Sequence, residues 1–98
     1  MYMNSPSAPA PVSPLVAAID RARRQQLPLT ELFQIAESFN AAGQRQQAAD
    51  IYKAWIAFND GNPLLHMACF NYSVTLRQMG DLTGAIQALR TCLRVDPK

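Results

Sequence analysis

The chain has 98 residues, which fits one domain, and 49% of them are apolar, which is enough for a small hydrophobic core. Nine Lys and Arg against seven Asp and Glu give a net charge of +2, too small and too scattered to indicate nucleic-acid binding. No segment has the roughly 18 apolar residues of a membrane-spanning helix, and the N-terminus lacks a secretory signal. With two widely spaced cysteines as well, the sequence predicts a cytoplasmic protein with reduced thiols.

The N-terminal residues 1–13 form a leader rich in Pro, Ser and Ala, a composition that predicts disorder. Ser13 followed by Pro14 predicts the start of a helix, because serine caps the first turn and proline suits the first helical position. Apolar residues then recur at three- and four-residue spacing, and Pro28 predicts an end near Gln26. This helix, residues 14–26, is expected to cover the helices that follow.

Residues 30–59 are predicted to form a first helical hairpin. Its first helix is expected to open with Thr30 as the cap and to stop at Gly43, where glycine allows the chain to turn. Its second helix is predicted from about Gln44 to Phe58 by the spacing of its apolar residues. The sequence Asn-Asp-Gly-Asn-Pro that follows is the clearest break in the chain.

Residues 63–96 are predicted to form a second hairpin. One helix is expected from Pro63 to Gly80, and another from about Leu82 to Val95. No stretch shows the alternation of a strand, and the short loops force each helix back along its neighbour. The predicted fold class is therefore all-α, with about five helices in antiparallel hairpins.

The two hairpins repeat one pattern when Gly43 is aligned with Gly80. The aligned pairs are Leu32 with Cys69, Ile35 with Tyr72, Ala36 with Ser73, Phe39 with Leu76, Ala48 with Ala85, and Tyr52 with Leu89. This pattern of bulky and small residues resembles the tetratricopeptide repeat over residues 30–98. The second copy fits it more fully than the first, where Trp55 stands at a position that the family fills with a small residue. We expect Trp55 to pack in the core or between the repeats.

The resemblance implies a short right-handed solenoid of stacked hairpins and a function in protein–protein interaction. In this family the first helix of each hairpin lines a concave surface that holds a peptide or a partner protein. The residues that the resemblance places on this surface are Phe33, Gln34, Glu37, Asn40, Met67, Phe70, Asn71, Val74 and Gln78.

Asn71 gives the resemblance a more specific form. The residues around it look similar to the N-terminal repeats of bacterial proteins of the O-linked N-acetylglucosamine transferase class, in which a ladder of asparagines grips peptide backbone. An amide both donates and accepts hydrogen bonds, so it pairs with a backbone of any sequence. Gln34 is the equivalent amide of the first hairpin. This resemblance implies a segment that orients protein substrates for a glycosyltransferase.

The sequence predicts no catalytic residue, no metal site and no cofactor. His66 has no Cys, Asp or Glu at helical metal-ligand spacing, and we interpret it as a surface or groove side chain. Glu31 and Glu37 fall on different sides of one helix, so paired-carboxylate chemistry has no support. Cys69 and Cys92 occupy core positions of one hairpin and are interpreted as buried, unreactive thiols rather than a redox pair.

Each hairpin of a repeat array leaves an apolar face for its neighbour, and we expect the face of the second hairpin to lack a covering element within these 98 residues. We therefore expect an apolar patch near Cys92, Leu93 and Val95. Its partner is the chain's own continuation, a second copy or another protein. The two functional hypotheses are an interaction module at the front of a larger protein and a self-associating scaffold, with neither nucleic acid nor membrane as partner.

Overall fold

A computed structural model describes residues 13–95 of the chain. All regular secondary structure in this range is helical, which confirms the predicted fold class. The predicted leader lies outside the described residues, apart from Ser13. The five helices are α1 (Pro14–Arg23), α2 (Leu29–Ala41), α3 (Arg45–Phe58), α4 (Leu65–Gln78) and α5 (Leu82–Val95).

The alignment of Gly43 with Gly80 corresponds to a shared geometry at the ends of α2 and α4. Both glycines adopt positive φ, 76° and 85° respectively. In each case the amide after the glycine donates to a carbonyl five residues back, Phe39 at 2.8 Å and Leu76 at 2.9 Å. This is the Schellman ending, in which a left-handed residue satisfies the last carbonyls of a helix. The two hairpins therefore turn in the same way.

The predicted end of α1 near Gln26 was wrong, because the helix ends at Arg23. Gln25 takes the left-handed position with φ of 59°, and the Gln26 amide donates to the Arg21 carbonyl at 2.8 Å. The same ending motif is thus formed without a glycine. A tertiary contact accompanies it, since Gln25 Nε2 donates to the Phe58 carbonyl at 2.9 Å. At the other end, Ser13 Oγ accepts from the Val16 amide at 3.1 Å, as the predicted cap requires.

Two predicted helix starts were also wrong. α2 begins at Leu29 rather than with Thr30 as its cap, and the Pro28 carbonyl accepts from the amide of its first turn at 2.9 Å. Proline at this place fixes φ and has no N–H to satisfy, so the helix begins without a side-chain cap. α4 begins at Leu65 rather than Pro63. Before it, Asn62 Oδ1 accepts from an amide two residues on at 2.8 Å, forming a turn that delays the helix.

Trp55 lies at the centre of the core, which confirms the prediction for its packing. Its side chain is fully buried on α3, and Nε1 donates to the Leu27 carbonyl in the α1–α2 loop at 2.8 Å. One turn later, Asn59 Nδ2 donates to the Ala22 carbonyl at 3.2 Å and to the Trp55 carbonyl at 2.9 Å. These bonds fasten the end of α1 to the end of α3, and α1 packs on α3.

The second hairpin is less enclosed than the first. A small cluster of buried side chains joins α3, α4 and α5: Ala49, Leu76, Ala85 and Ala88. Tyr52 and Leu89 occupy equivalent positions in the aligned hairpins, yet Tyr52 is buried and Leu89 is 40% exposed. Tyr52 lies beneath α4, whereas α5 is the last helix of the described residues. The expected core position of Leu89 therefore becomes part of a surface.

Candidate functional site

Most of the residues that the resemblance places on the concave surface line two depressions. The first, which we call the polar groove, lies between α2 and α4 and has a volume of about 290 Å³. Its lining residues are Phe33, Glu37, Asn40, Tyr52, Asn71, Val74, Thr75 and Gln78. Six of them are predicted site residues, so α2 and α4 do bring these side chains together. Gln34 is not among them and lies exposed on α2.

Side-chain amides and a phenol form the centre of the polar groove. Burial raises the pKa of Tyr52, the Asn71 amide opposes this shift by donating to the phenolic oxygen, and the Glu37 carboxylate reinforces it. The phenol therefore stays protonated at neutral pH. On α2, the Asn40 side-chain oxygen is buried without a hydrogen-bond partner among the described residues. An unpaired buried acceptor of this kind costs about 1–3 kcal/mol.

Sequence reasoning missed Tyr52 and Thr75 as lining residues of the polar groove. The position of Tyr52 in the repeat marks it as a core residue, and its ring is indeed buried, 6.4 Å from the Phe33 ring between centroids. Its place in the groove lining depends on how α3 packs against α2 and α4, which no spacing rule reveals. Thr75 sits mid-helix, and its Oγ1 donates to the Asn71 carbonyl at 3.1 Å, a bond within α4 itself.

The second depression, which we call the apolar cleft, lies between α4 and α5 and has a volume of about 560 Å³. It brings residues predicted for the concave surface together with residues predicted for the end patch. The lining residues are His66, Met67, Phe70, Asn71, Leu89, Cys92 and Leu93. Asn71 thus borders both depressions. The predicted concave surface is divided by α4 into a polar side and an apolar side.

An exposed apolar stripe follows α5 beside this cleft. Its members are Leu82, Ile86, Leu89 and Leu93, with exposed fractions of 60%, 51%, 40% and 61%. Their spacing of four, three and four residues places them on one side of the helix. The predicted patch residue Leu93 belongs to this stripe, and Cys92 is half-buried beside it. The side chain of Val95 lies outside the described residues.

The two cysteines face each other across α4 and α5. Burial raises the pKa of Cys69, and burial together with the neighbouring Cys69 raises the pKa of Cys92 to about 12. Cys92 Sγ donates to the His66 carbonyl at 3.4 Å. Thiols that stay protonated at neutral pH are poor nucleophiles and poor metal ligands.

Within residues 13–95, no group of three or more His, Cys, Asp or Glu side chains is arranged to hold a metal ion. No helix in the same range is long and apolar enough to span a bilayer.

The comparison with protein families gives one match, and it falls on the hairpin formed by α2 and α3. Residues 32–56 match the tetratricopeptide repeat family. The match supports this family for that hairpin, and it lies in the copy whose pattern fits the repeat less fully by sequence. No curated protein and no solved structure matches the chain. Tetratricopeptide repeats generally mediate protein–protein interaction and are typically non-catalytic.

Proposed function

We propose that this protein binds an extended segment of a partner protein in the polar groove. The observation that carries the proposal is the pair of asparagine amides on neighbouring helices, Asn40 on α2 and Asn71 on α4, which line one groove. Each amide offers a donor and an acceptor, and the Asn40 side-chain oxygen has no hydrogen-bond partner among residues 13–95. A peptide backbone supplies both kinds of group in a regular series.

The remaining walls of the polar groove suit such a peptide. Phe33 and Val74 are half-buried apolar side chains on opposite sides, and they can contact alternate side chains of an extended segment. Glu37 is the only charged residue of the lining and favours a basic residue or a free amino group in the ligand. Tyr52 and Asn71 lie together in this lining, so a phenol and an amide border the same part of the groove.

A narrower version of the proposal places this segment in a peptide glycosyltransferase, where it orients protein substrates. Its support is the sequence around Asn71 alone. The self-associating scaffold is the other hypothesis, and its support is the exposed stripe of α5. The first hypothesis requires ligand binding to depend on the polar groove. The second requires assembly to depend on α5.

The test is selection of peptides of about 12 residues from a random library on the immobilised 98-residue protein. The selected peptide is then titrated by fluorescence polarisation against wild type, Asn71→Ala and Gln34→Ala. Because a hydrogen bond contributes about 1 kcal/mol, Asn71→Ala is expected to weaken binding about fivefold to tenfold. Gln34→Ala is the matched control, since it truncates an amide at the equivalent repeat position outside the groove, and it is expected to bind like wild type.

Because Asn71 borders both depressions, Gln78→Ala in the polar groove alone serves as a second variant, and it is expected to weaken the selected peptide too. Circular dichroism establishes that each variant remains helical. A library that yields no enriched peptide contradicts the proposal. So does a selected peptide that binds both groove variants as tightly as wild type.

A further inference from the structure

We infer that Asp60, in the turn between the two hairpins, is a modification site at which the backbone isomerises to isoaspartate through a succinimide formed with Gly61. The reaction needs no enzyme and no co-reactant other than water. The inference goes beyond the proposed function and is independent of any ligand of the polar groove. It depends on the sequence of this turn, on the exposure of its two central residues and on the hydrogen bonds that hold their neighbours.

The chemistry joins an aspartate side chain to the backbone amide that follows it. The Gly61 nitrogen attacks the side-chain carboxyl carbon Cγ of Asp60, which closes a five-membered succinimide ring and releases one water. One water then opens the ring. Attack at Cγ restores aspartate, and attack at the backbone carbonyl carbon leaves the main chain running through the former side chain. The water lost is regained, so the mass is unchanged. Glycine favours ring closure because it has no Cβ to hinder its nitrogen.

The structure leaves this pair of residues open to the reaction. Asp60 and Gly61 are both exposed, and no atom outside the adjoining residues lies within 4 Å of the place that a Cβ of Gly61 would take. They are the central residues of a β-turn, which the Asn62 amide closes by donating to the Asn59 carbonyl at 3.0 Å. Among residues 13–95, neither the Gly61 amide nor the Asp60 carboxylate takes part in a hydrogen bond or an ion pair. No bond therefore has to break before the nitrogen approaches the carboxyl.

The neighbouring asparagines and the other aspartates are held back from the same reaction. The sequence has one Asp-Gly pair, Asp60 with Gly61, and no Asn-Gly pair. Asn59 is buried, and its side-chain amide donates to two carbonyls. Asn62 precedes a proline, whose nitrogen carries no hydrogen and cannot close the ring. The Asp81 carboxylate accepts from an amide of α5 at 2.9 Å, and the two remaining aspartates within residues 13–95 lie inside α1 and α3.

Isomerisation at Asp60 changes the junction between the hairpins. The new link adds one carbon–carbon bond of about 1.5 Å to the main chain between Asn59 and Asn62. Both of these residues are anchored: the Asn59 side chain joins the ends of α1 and α3, and Asn62 Oδ1 accepts from the Leu64 amide ahead of α4 at 2.8 Å. The added length therefore falls inside the turn and is expected to break the hydrogen bond that closes it. The expected result is a looser attachment of α4 to the end of α3.

The test is incubation of the 98-residue protein at pH 7.4 and 37 °C, followed by tryptic digestion and mass spectrometry with electron-transfer fragmentation, which distinguishes isoaspartate from aspartate. Residues 54–77 form one tryptic peptide, in which Asp60 is the only aspartate. Isoaspartate is expected to accumulate at Asp60 at least about tenfold faster than at Asp50 or Asp81. Because the fold leaves the turn unrestrained, the native rate is expected to lie within about tenfold of the rate in a synthetic peptide of residues 54–77.

Two variants of the turn are matched controls. Gly61→Ala adds a Cβ beside the attacking nitrogen, and Asp60→Glu keeps the charge but requires a six-membered ring, so each is expected to slow isomerisation at least about tenfold. Both variants are expected to fold like wild type, because both residues are exposed and an alanine Cβ at position 61 meets open space. The isoaspartyl form, separated from the aspartyl form by ion-exchange chromatography, is expected to unfold at a lower urea concentration when followed by circular dichroism.

Three outcomes would overturn the inference. A native rate more than tenfold below that of the free peptide, or no isoaspartate at all, would show that the fold protects the turn. An unchanged rate in Gly61→Ala would exclude the Gly61 nitrogen as the attacking group. An isoaspartyl form with the urea midpoint of the aspartyl form would show that this turn does not fasten α4 to α3. None of these outcomes affects the Asn71 test of the polar groove.

Discussion

Replacement of Trp55 by phenylalanine tests whether one side chain joins α1, α3 and the loop between α1 and α2. Trp55 is fully buried, and its Nε1 donates to the Leu27 carbonyl at 2.8 Å. Phenylalanine keeps an aromatic ring but cannot donate, so the carbonyl of this buried loop residue loses its partner, at a cost of about 1–3 kcal/mol. The smaller ring also leaves a cavity of about 40 Å³, which costs about 1 kcal/mol. The expected loss is therefore about 2–4 kcal/mol.

A loss of this size is large for a chain of this length, whose total stability is expected to be about 5–15 kcal/mol. Urea denaturation followed by far-ultraviolet circular dichroism measures it, since Trp55 is the only tryptophan and its fluorescence is absent from the variant. Phe58→Leu is the control, because that side chain is 42% exposed one turn away, and its effect is expected to stay within about 0.5 kcal/mol. A change below 0.5 kcal/mol for Trp55→Phe, with an unchanged urea slope, would refute this account of the core.

Three further predictions concern the turns and the titrating groups. Gly80→Ala is expected to lower the free energy of unfolding, measured in urea, by about 1–2 kcal/mol, because φ is 85° there and alanine is strained at positive φ. An unchanged free energy of unfolding would contradict this expectation. Glu31 has a lowered pKa because Arg21 donates to its carboxylate. The stability that this ion pair contributes is therefore present above the pKa of Glu31 in the unfolded chain, near 4.5, and is lost as pH falls through its lower pKa in the folded protein. Wild type and Glu31→Gln should therefore differ in urea stability at pH 7 and converge at acid pH; a constant difference would contradict the pairing. The pKa of Cys92 is raised to about 12, so at pH 7.5 the thiol should react with iodoacetamide at least a hundredfold more slowly in native than in urea-unfolded protein. Mass spectrometry measures both rates. Similar rates would show that the thiol is accessible and ionised in the native protein.

Local sequence signals predicted most of the helical framework. The ends of α3 and α5 lie within a residue of their predicted places, because apolar spacing and clear break signals coincide there. Gly43 and Gly80 both adopt the left-handed turn that the alignment of the hairpins indicates. The end of α1 was mispredicted, because Gln25 takes a conformation that its side chain type does not favour. Its hydrogen bond to the Phe58 carbonyl, 33 positions away, is invisible to any local rule.

The candidate surfaces show the limit of such signals. Asn40 and Asn71 could be placed on one side of their helices from repeat geometry, and they do line one groove. Tyr52 could not be assigned to that groove, because its repeat position marks it as a core residue and its place in the lining depends on how α3 packs against α2 and α4. The apolar cleft was anticipated in two separate pieces, one on α4 and one near Leu93. Neither piece indicated a continuous groove, since its continuity depends on how α5 lies against α4.

The sequence by itself determined the helical fold class, the repeat and the identity of the side chains available on each helix face. Periodicity is a local property, and it survives in any arrangement of the helices. Only the tertiary structure decided which of those faces are covered. Tyr52 and Leu89 have equivalent positions in the repeat, but α4 lies over the first and no helix of the described residues lies over the second. Burial depends on the neighbour that a face receives, so the same pattern builds core in one hairpin and an exposed apolar surface in the other.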